Sequence, residues 1–423
     1  MLISAWLNLL LAIPVLLAGE AIVRRVRLLS WFNIPAPIVG GLLVSVVFLL
    51  GNITGSFSAK FQTAVSAQFW TWLVTPEPEW LRAPAKNANL PFLVIFFTCV
   101  GLNASWLMAR RAGVQVVIFL GISVVLAVCQ NFLGLGLASA LGVSPLLGLT
   151  CGSLSLVGGH GTALGFAPEL AKAGLQGASV LGAAAATYGI VAGALLGGPV
   201  GGALIRRLGL RPSEAEAQLH AGAAHAPGIL SDMRALKGFG ITFLGHLALV
   251  LLCVKAGAWV SFFFQRLGAS FPVYMGAMLL AVIARNVIDH RSAWVRTEVV
   301  DTLGSVSLGW FLSMAMMTLN LAELAHAALA MLVILAAQTV LAASFAWFVT
   351  FKLMGGDFDA AVMAGGQIGF GLGATANAIA SMKSLVENFG PAPRAFLVVP
   401  IVGSFLVDLF NAVNITVFLN LAR

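Results

Sequence analysis

Residues Gly365 to Ala380 read GGQIGFGLGATANAIA, and Val157 to Gly165 read VGGHGTALG. Both stretches lie inside long apolar regions, yet glycine weakens a helix interior by about 1 kcal/mol relative to alanine. Glycine at this density predicts a break in the helix at each place. Irregular backbone at membrane depth survives only where it is buried in protein or lines a water-filled cavity, because lipid cannot satisfy the freed N–H and C=O groups. Two such breaks at matching places in the two halves of a chain point to a secondary transporter's binding site.

Composition agrees. At 60% hydrophobic and 9% charged residues, with mean hydropathy +0.99, the chain is too apolar for a water-soluble domain and has room for roughly ten spans of about 20 residues. The fold class expected is all-α integral membrane: ten transmembrane helices plus two re-entrant helical hairpins. The net charge of +8 comes from basic residues in short loops between apolar runs, so it reads as a topology signal with no nucleic-acid footprint. Cys99, Cys129, Cys151 and Cys253 lie in apolar segments without CxxC spacing and read as small packing residues.

Spans are expected at about 2–23, 34–51, 90–109, 114–141 and 178–204, with a broken segment at about 146–171. After a polar stretch come spans at about 239–264, 272–288, 303–324, 327–353 and 395–419, with a second broken segment at about 359–385. Glu20 stands four residues before Arg24, the spacing of a paired interfacial charge. Trp70, Trp72 and Trp80, beside Pro76 and Pro78, suggest a segment resting at the membrane surface. Gly189, Gly193, Gly197 and Gly201 recur every four residues and form a small-residue face for close helix packing. Lys255 and Arg285, in or near apolar runs, are read as snorkelling to the interface.

The halves look related. Pro37 to Leu43 echoes Pro272 to Met278, Gly101-Leu102-Asn103 echoes Thr318-Leu319-Asn320, and Gly161-Thr162-Ala163 echoes Ala374-Thr375-Ala376, in the same order. The expected organisation is a first repeat over 1–205, a cytoplasmic linker over 206–238 and a second repeat over 239–423. Placing both termini outside puts Arg24, Arg25, Arg27, Arg110, Arg111, Arg206, Arg207, Arg211, Arg234 and Lys237 inside, the positive-inside pattern. Five spans per repeat is odd, so the second repeat is inverted. The first hairpin then enters from outside and the second from inside, as alternating access at a midplane site requires.

A broken helix bares N–H groups and a positive dipole end at the start of its second arm, a receptor for a carboxylate or phosphate. The residues expected around substrate are Gly158, Gly159, His160, Gly161, Thr162, Gly371, Gly373, Thr375 and Asn377. The hydroxyls of Thr162 and Thr375 either donate to an anion or cap the arm. Asn377 offers donor and acceptor, which suits a zwitterion. His160 either touches substrate, titrates with a coupling proton or makes a structural hydrogen bond. The carbonyls closing the first arms, around Ser155 to Gly158 and Gly369 to Leu372, suit a hard cation such as Na⁺. Asp408, with Asn411 and Asn414 on the same helical face, reads as a coupling-ion ligand or an ion-pair partner. Asn103 and Asn320 either coordinate ions beside the breaks or bond between helices. Sodium candidates are therefore Ser155, Asn103, Asn320, Asp408 and Asn411.

SLSLVGGHGTALGFAP at Ser153 to Pro168 and GGQIGFGLGATANAIASM at Gly365 to Met382 resemble the two signature regions of the bacterial sodium/glutamate symporter family. MTLNL at Met317 to Leu321 and PAPRAFLVVPIVGSFLVDLFNAVN at Pro391 to Asn414 resemble it too, so the similarity covers nearly the whole chain. It implies Na⁺-driven uptake of L-glutamate across the bacterial inner membrane. It also implies a homodimer in which a transport domain holding both hairpins slides against a fixed scaffold in an elevator motion. The citrate and malate carriers are more distantly similar, with GGxG-type breaks in both halves; here the second break reads GFGLGATAN, which favours the glutamate reading.

Cation coupling has a reason independent of family. Moving one negative charge inward against the membrane potential costs roughly 2.3 kcal/mol per 100 mV, which one Na⁺ cancels and a second reverses. A channel would use similar breaks for selectivity but conduct without saturable uptake. An intramembrane enzyme would need a nucleophile with a base, or paired carboxylates, and the spans hold no Ser/His/Asp or Asp/Asp constellation.

Overall fold

The computed structural model describes residues 2–32, 34–54, 60–82, 85–107, 113–212, 240–267, 272–291, 294–319 and 327–422. Apart from two short two-stranded pairings near the N-terminal side, the regular structure of these residues is helical. Among them seven helices are long and apolar enough to cross a bilayer, and a bent pair, Pro393–Ser404 with Val407–Leu421, passes the same test together. The spans expected at 34–51 and 90–109 correspond to shorter apolar helices. The chain is a multi-pass membrane protein. Asn320 and the linker from residue 213 onward lie outside the described residues.

The chain divides into two compact units, each drawing segments from both halves of the sequence. One unit contains Ala5–Arg25, Ala36–Thr54, Leu90–Asn103, Gly240–Arg266, Val273–Arg291 and Thr297–Met317. Its helices approach through small residues: a Cβ built at Gly101 would lie 2.3 Å from the Met278 carbonyl oxygen, and one at Gly40 would lie 2.2 Å from that of Val15. The expected Glu20–Arg24 pair is present at 2.5 Å. The Thr297–Met317 helix begins six residues before the expected span because Glu298 in its first turn complements the helix dipole, a signal that a hydropathy reading discards.

One of the two basic residues expected to snorkel departs from that expectation. Arg285 is 3% exposed; its Nε donates to Asp289 at 2.8 Å and its Nη1 to the Leu102 carbonyl at 3.0 Å. The Leu90–Asn103 helix ends early, at Asn103, and its closing carbonyls lack intrahelical partners. Arg285 and Asn286, which donates to the Ala104 carbonyl at 3.0 Å, supply those partners from the next helix. Lys255 reaches the tryptophan-rich segment that is expected at the membrane surface, as snorkelling to the interface would have it. Its ammonium donates to the carbonyls of Trp72 and Thr75 at 2.9 and 2.8 Å, pairs with Glu77 at 2.8 Å and lies 4.0 Å from the Trp72 ring centroid. The tryptophan-rich helices Gln68–Val74 and Glu77–Arg82 are thus pinned to a membrane helix through one cation.

The other unit holds both glycine-rich breaks, with Val114–Ala140, Ala178–Leu208, a continuous helix from Ala328 to Leu353 and the bent helix from Pro393 to Leu421. The four-residue glycine repeat acts in packing, as its spacing predicts. A Cβ at Gly189, Gly193, Gly197 or Gly201 would lie 1.9, 3.0, 2.7 or 3.1 Å from the carbonyl oxygen of Leu372, Gly369, Gly365 or Ala361 respectively. The Ala178–Leu208 helix therefore runs antiparallel along Phe358–Leu372, backbone against backbone, a closeness that only the missing Cβ atoms permit.

Candidate functional site

At the second break the Phe358–Leu372 helix stops, Gly373 and Ala374 leave the helical conformation, and Thr375–Phe389 begins. The arms fold back on one another: a Cβ at Gly369 would lie 2.4 Å from the Ala378 nitrogen, and one at Gly366 would lie 2.7 Å from Met382 Sδ. The base of this hairpin is clasped. Asp357 caps the first arm by accepting from the Ala360 nitrogen at 2.9 Å and pairs with Arg394, while Asp359 accepts from the Ala395 nitrogen at 2.9 Å.

The first break is built differently. Pro145–Leu149 continues into a π-helical turn, Thr150–Leu154, in which Gly152 is non-helical (φ −92°, ψ −148°), and Gly159–Lys172 follows a turn at Val157 and Gly158. Gly159 has φ +61°, a left-handed conformation that glycine adopts without a Cβ penalty. A Cβ built there would lie 3.3 Å from the Gly373 carbonyl oxygen, so the two breaks meet.

Both second arms begin at this meeting point. The earliest intrahelical donors are Thr162, to the Gly158 carbonyl, and Asn377, to the Ala374 carbonyl. The N–H groups of Gly159, His160 and Gly161 on one arm, and of Thr375 and Ala376 on the other, have no helical acceptor and sit at the positive dipole ends. That arrangement favours an anion at the junction.

The side chains read from sequence divide between junction and brace. Asn377, fully buried, donates from Nδ2 to the Ile190 carbonyl at 2.7 Å and keeps Oδ1 without a partner. Thr375 is no cap: its hydroxyl donates to the Gly403 carbonyl at 2.6 Å, on the bent last helix. His160 Nε2 lies 2.9 Å from the Thr187 hydroxyl, which itself donates to the Ala183 carbonyl, so the imidazole donates in a structural bond. Thr162 is buried against Gly158, where a Cβ would lie 2.5 Å from its own Cβ. Ser155 donates to the Gly182 carbonyl at 3.3 Å. Gly371 lies in the last turn of the first arm of the second hairpin.

Asn411 Nδ2 donates to the Ser153 carbonyl at 3.0 Å, leaving Oδ1 buried and unpartnered, and Asn414 Nδ2 lies 3.5 Å from the Ser153 hydroxyl. Asp408, one turn earlier on that face, has no hydrogen-bond or ion-pair partner among the described residues. Free carboxylate and amide oxygens beside a kinked backbone fit a hard cation. Asn103 is not in the unit that holds these residues. It belongs to the unit that holds neither break, where Nδ2 donates to Asp301 at 2.5 Å; Asn320 lies outside the described residues.

Sequence reading missed the residues that hold the breaks. Gln130 and Asn131, adjacent on the Val114–Ala140 helix and fully buried, reach different breaks: Gln130 Nε2 donates to the Gly371 carbonyl at 2.9 Å, and Asn131 Oδ1 accepts both the N–H and the hydroxyl of Ser153 at 2.9 Å. The available signal was two consecutive amides amid the apolar run VVLAVCQNFLG, since polar groups at membrane depth are costly.

The sodium/glutamate symporter family model matches residues 1–75 and 84–391. The chain is 35% identical over 413 residues to a Haemophilus influenzae protein named sodium/glutamate symporter, an alignment covering 97% of this chain and 95% of that one. It is 36% identical over 408 residues to proteins of the same name from Escherichia coli and Shigella flexneri, with 96% and 95% covered. With similarity running through both glycine-rich breaks, the chain belongs to the sodium/glutamate symporter family.

Proposed function

We propose that this protein is a symporter that carries L-glutamate inward with Na⁺ across the bacterial inner membrane. The observation that carries the reading is the meeting of the two breaks at Gly159 and Gly373, next to which both second arms begin with N–H groups that have no helical acceptor. Such donors suit the carboxylates of an acidic amino acid. The names borne by its relatives supply substrate and ion: a sodium/glutamate symporter in each case. In this reading the coupling ion binds at Asp408, Asn411 and the first break near Ser153 and Ser155, whose oxygens suit Na⁺. The family is one of transporters, and the protein is read as no enzyme.

Alternating access follows an elevator scheme in this reading. Ten spans, two re-entrant hairpins and two inverted repeats, 1–205 and 239–423, place both termini in the periplasm. The separation in sequence that relates Thr162 to Thr375 also relates Ile190 to Gly403, and these two carbonyls receive Asn377 and Thr375 from the same hairpin arm. That correspondence supports the duplication. The unit holding both hairpins would be the moving part and the other unit the scaffold of a homodimer, a division supported by the compact units themselves.

Radiolabelled L-glutamate uptake into proteoliposomes, with Na⁺, K⁺ or H⁺ gradients in turn, tests the proposal. Saturable accumulation with Na⁺ alone is expected. Thr375→Val and Asn377→Ala are expected to abolish it while the protein still folds. Accumulation of citrate or malate in place of glutamate, or unsaturable conduction, would overturn the reading.

A further inference from the structure

Gln130 has no exposed surface, and its amide nitrogen is fixed on the Gly371 carbonyl, two residues ahead of Gly373. That bond orients the carboxamide and leaves Oε1 without a partner. Asn377 repeats the arrangement beyond the break, with Nδ2 fixed on the Ile190 carbonyl and Oδ1 unpartnered. Ile190 itself lies against Gly373, where a Cβ would come within 2.6 Å of the Ile190 Cα. Gln130 is thus anchored two residues before Gly373 and Asn377 on a residue packed against it, and at the Gly373 carbonyl no hydrogen bond is directed among the described residues. A buried acceptor without a donor is costly at low dielectric. Two such side chains, each with its nitrogen anchored and its oxygen spare, are arranged for a ligand that donates.

We propose that Gln130 and Asn377 read the α-ammonium group of the transported amino acid, so that the carrier separates an amino dicarboxylate from the same dicarboxylate lacking the amine. An ammonium has three N–H donors, which two amide oxygens and the Gly373 carbonyl satisfy, while the bared N–H groups of the second arms take the carboxylates. The metal ion has the other oxygen set, on the helix whose Asn411 and Asn414 face Ser153. The inference rests on the glutamate reading above and adds a specificity residue, Gln130, to it.

The test is Na⁺-driven L-glutamate uptake into proteoliposomes, with unlabelled L-glutamate and glutarate as competitors. The wild type is expected to prefer glutamate over glutarate by at least about tenfold. In Gln130→Met the KM for glutamate rises about ten- to a hundredfold while inhibition by glutarate holds, so the preference collapses. Gln130→Glu keeps an acceptor oxygen but loses the donor to Gly371, and is expected to retain the preference. Equal weakening of both competitors in Gln130→Met, a Gln130→Glu that behaves like Gln130→Met, or an effect confined to the Na⁺ requirement would overturn the proposal. Should Gln130→Met fail to fold, a Gln130→Glu preference near unity would overturn it by itself. A wild-type protein that accumulates no glutamate would instead overturn the parent reading.

Discussion

Asn131 Oδ1 receives both the backbone N–H and the hydroxyl of Ser153, each at 2.9 Å. One amide oxygen thereby holds the kinked turn of the first break against the Val114–Ala140 helix, beside the non-helical Gly152. Asn131→Leu removes the shared acceptor and leaves two buried donors unsatisfied, at about 1–3 kcal/mol per group. A lower thermal-unfolding midpoint in detergent is expected, with Asn131→Asp, which keeps an acceptor, recovering most of it. Equal midpoints for Asn131→Leu and wild type would show that the bonds contribute nothing.

Asp408 stands on the face that carries Asn411 and Asn414 toward Ser153 and has no ion-pair partner among the described residues. Asp408→Asn keeps the shape and removes the charge. The Na⁺ concentration for half-maximal uptake is expected to rise at least about tenfold, the equivalent of about 1.4 kcal/mol, with unfolding little changed. An unaltered Na⁺ requirement would remove Asp408 from the ion site.

The glycine face offers an internal control. Gly189→Ala drives a methyl to 1.9 Å from the Leu372 carbonyl oxygen, whereas Gly198→Ala, on the same helix, meets open space. Overpacking of this kind costs typically about 1–3 kcal/mol or more, and the clash lies at the edge of the second break. Gly189→Ala is expected to lose uptake and stability together, and Gly198→Ala to match the wild type in both assays.

Arg285 and Asp289 form a nearly fully buried pair that also closes the Leu90–Asn103 helix. Removing one member of a buried pair costs about 3–5 kcal/mol because the other charge stays uncompensated. Arg285→Met is therefore expected to lower expression and melting temperature sharply. Partial restoration in the double variant Arg285→Met/Asp289→Leu, measured by thermal unfolding, checks the cause.

Lys255 gives a pH dependence with a defined sign. Its hydrogen bond holds the Glu77 carboxyl below the ordinary value of 4.5. A lowered folded-state pKa means that the stabilisation is complete above that ordinary value and is lost as pH falls through the lower folded value. Proteolysis within residues 68–82 is expected to accelerate as the medium is acidified below about pH 4, and in Lys255→Met at every pH. Screening limits the size of the effect, since Glu77 is partly exposed.

Sequence alone determined that the chain is an apolar multi-pass protein, where its helix breaks fall, and that Gly189 to Gly201 packs a helix, because span length, glycine density and a four-residue period are local properties of covalent order. Three-dimensional packing decided the rest. Gln130 and Ser153 lie 23 positions apart in the chain, and nothing local says that Gln130 serves the second break while its neighbour Asn131 serves the first. Arg285 reads as a snorkelling cation until the early end of another helix supplies bare carbonyls for it to bind. Hydrogen-bond partners distant in sequence are chosen by which backbone groups the packing leaves unpaired, and that is a property of the folded chain.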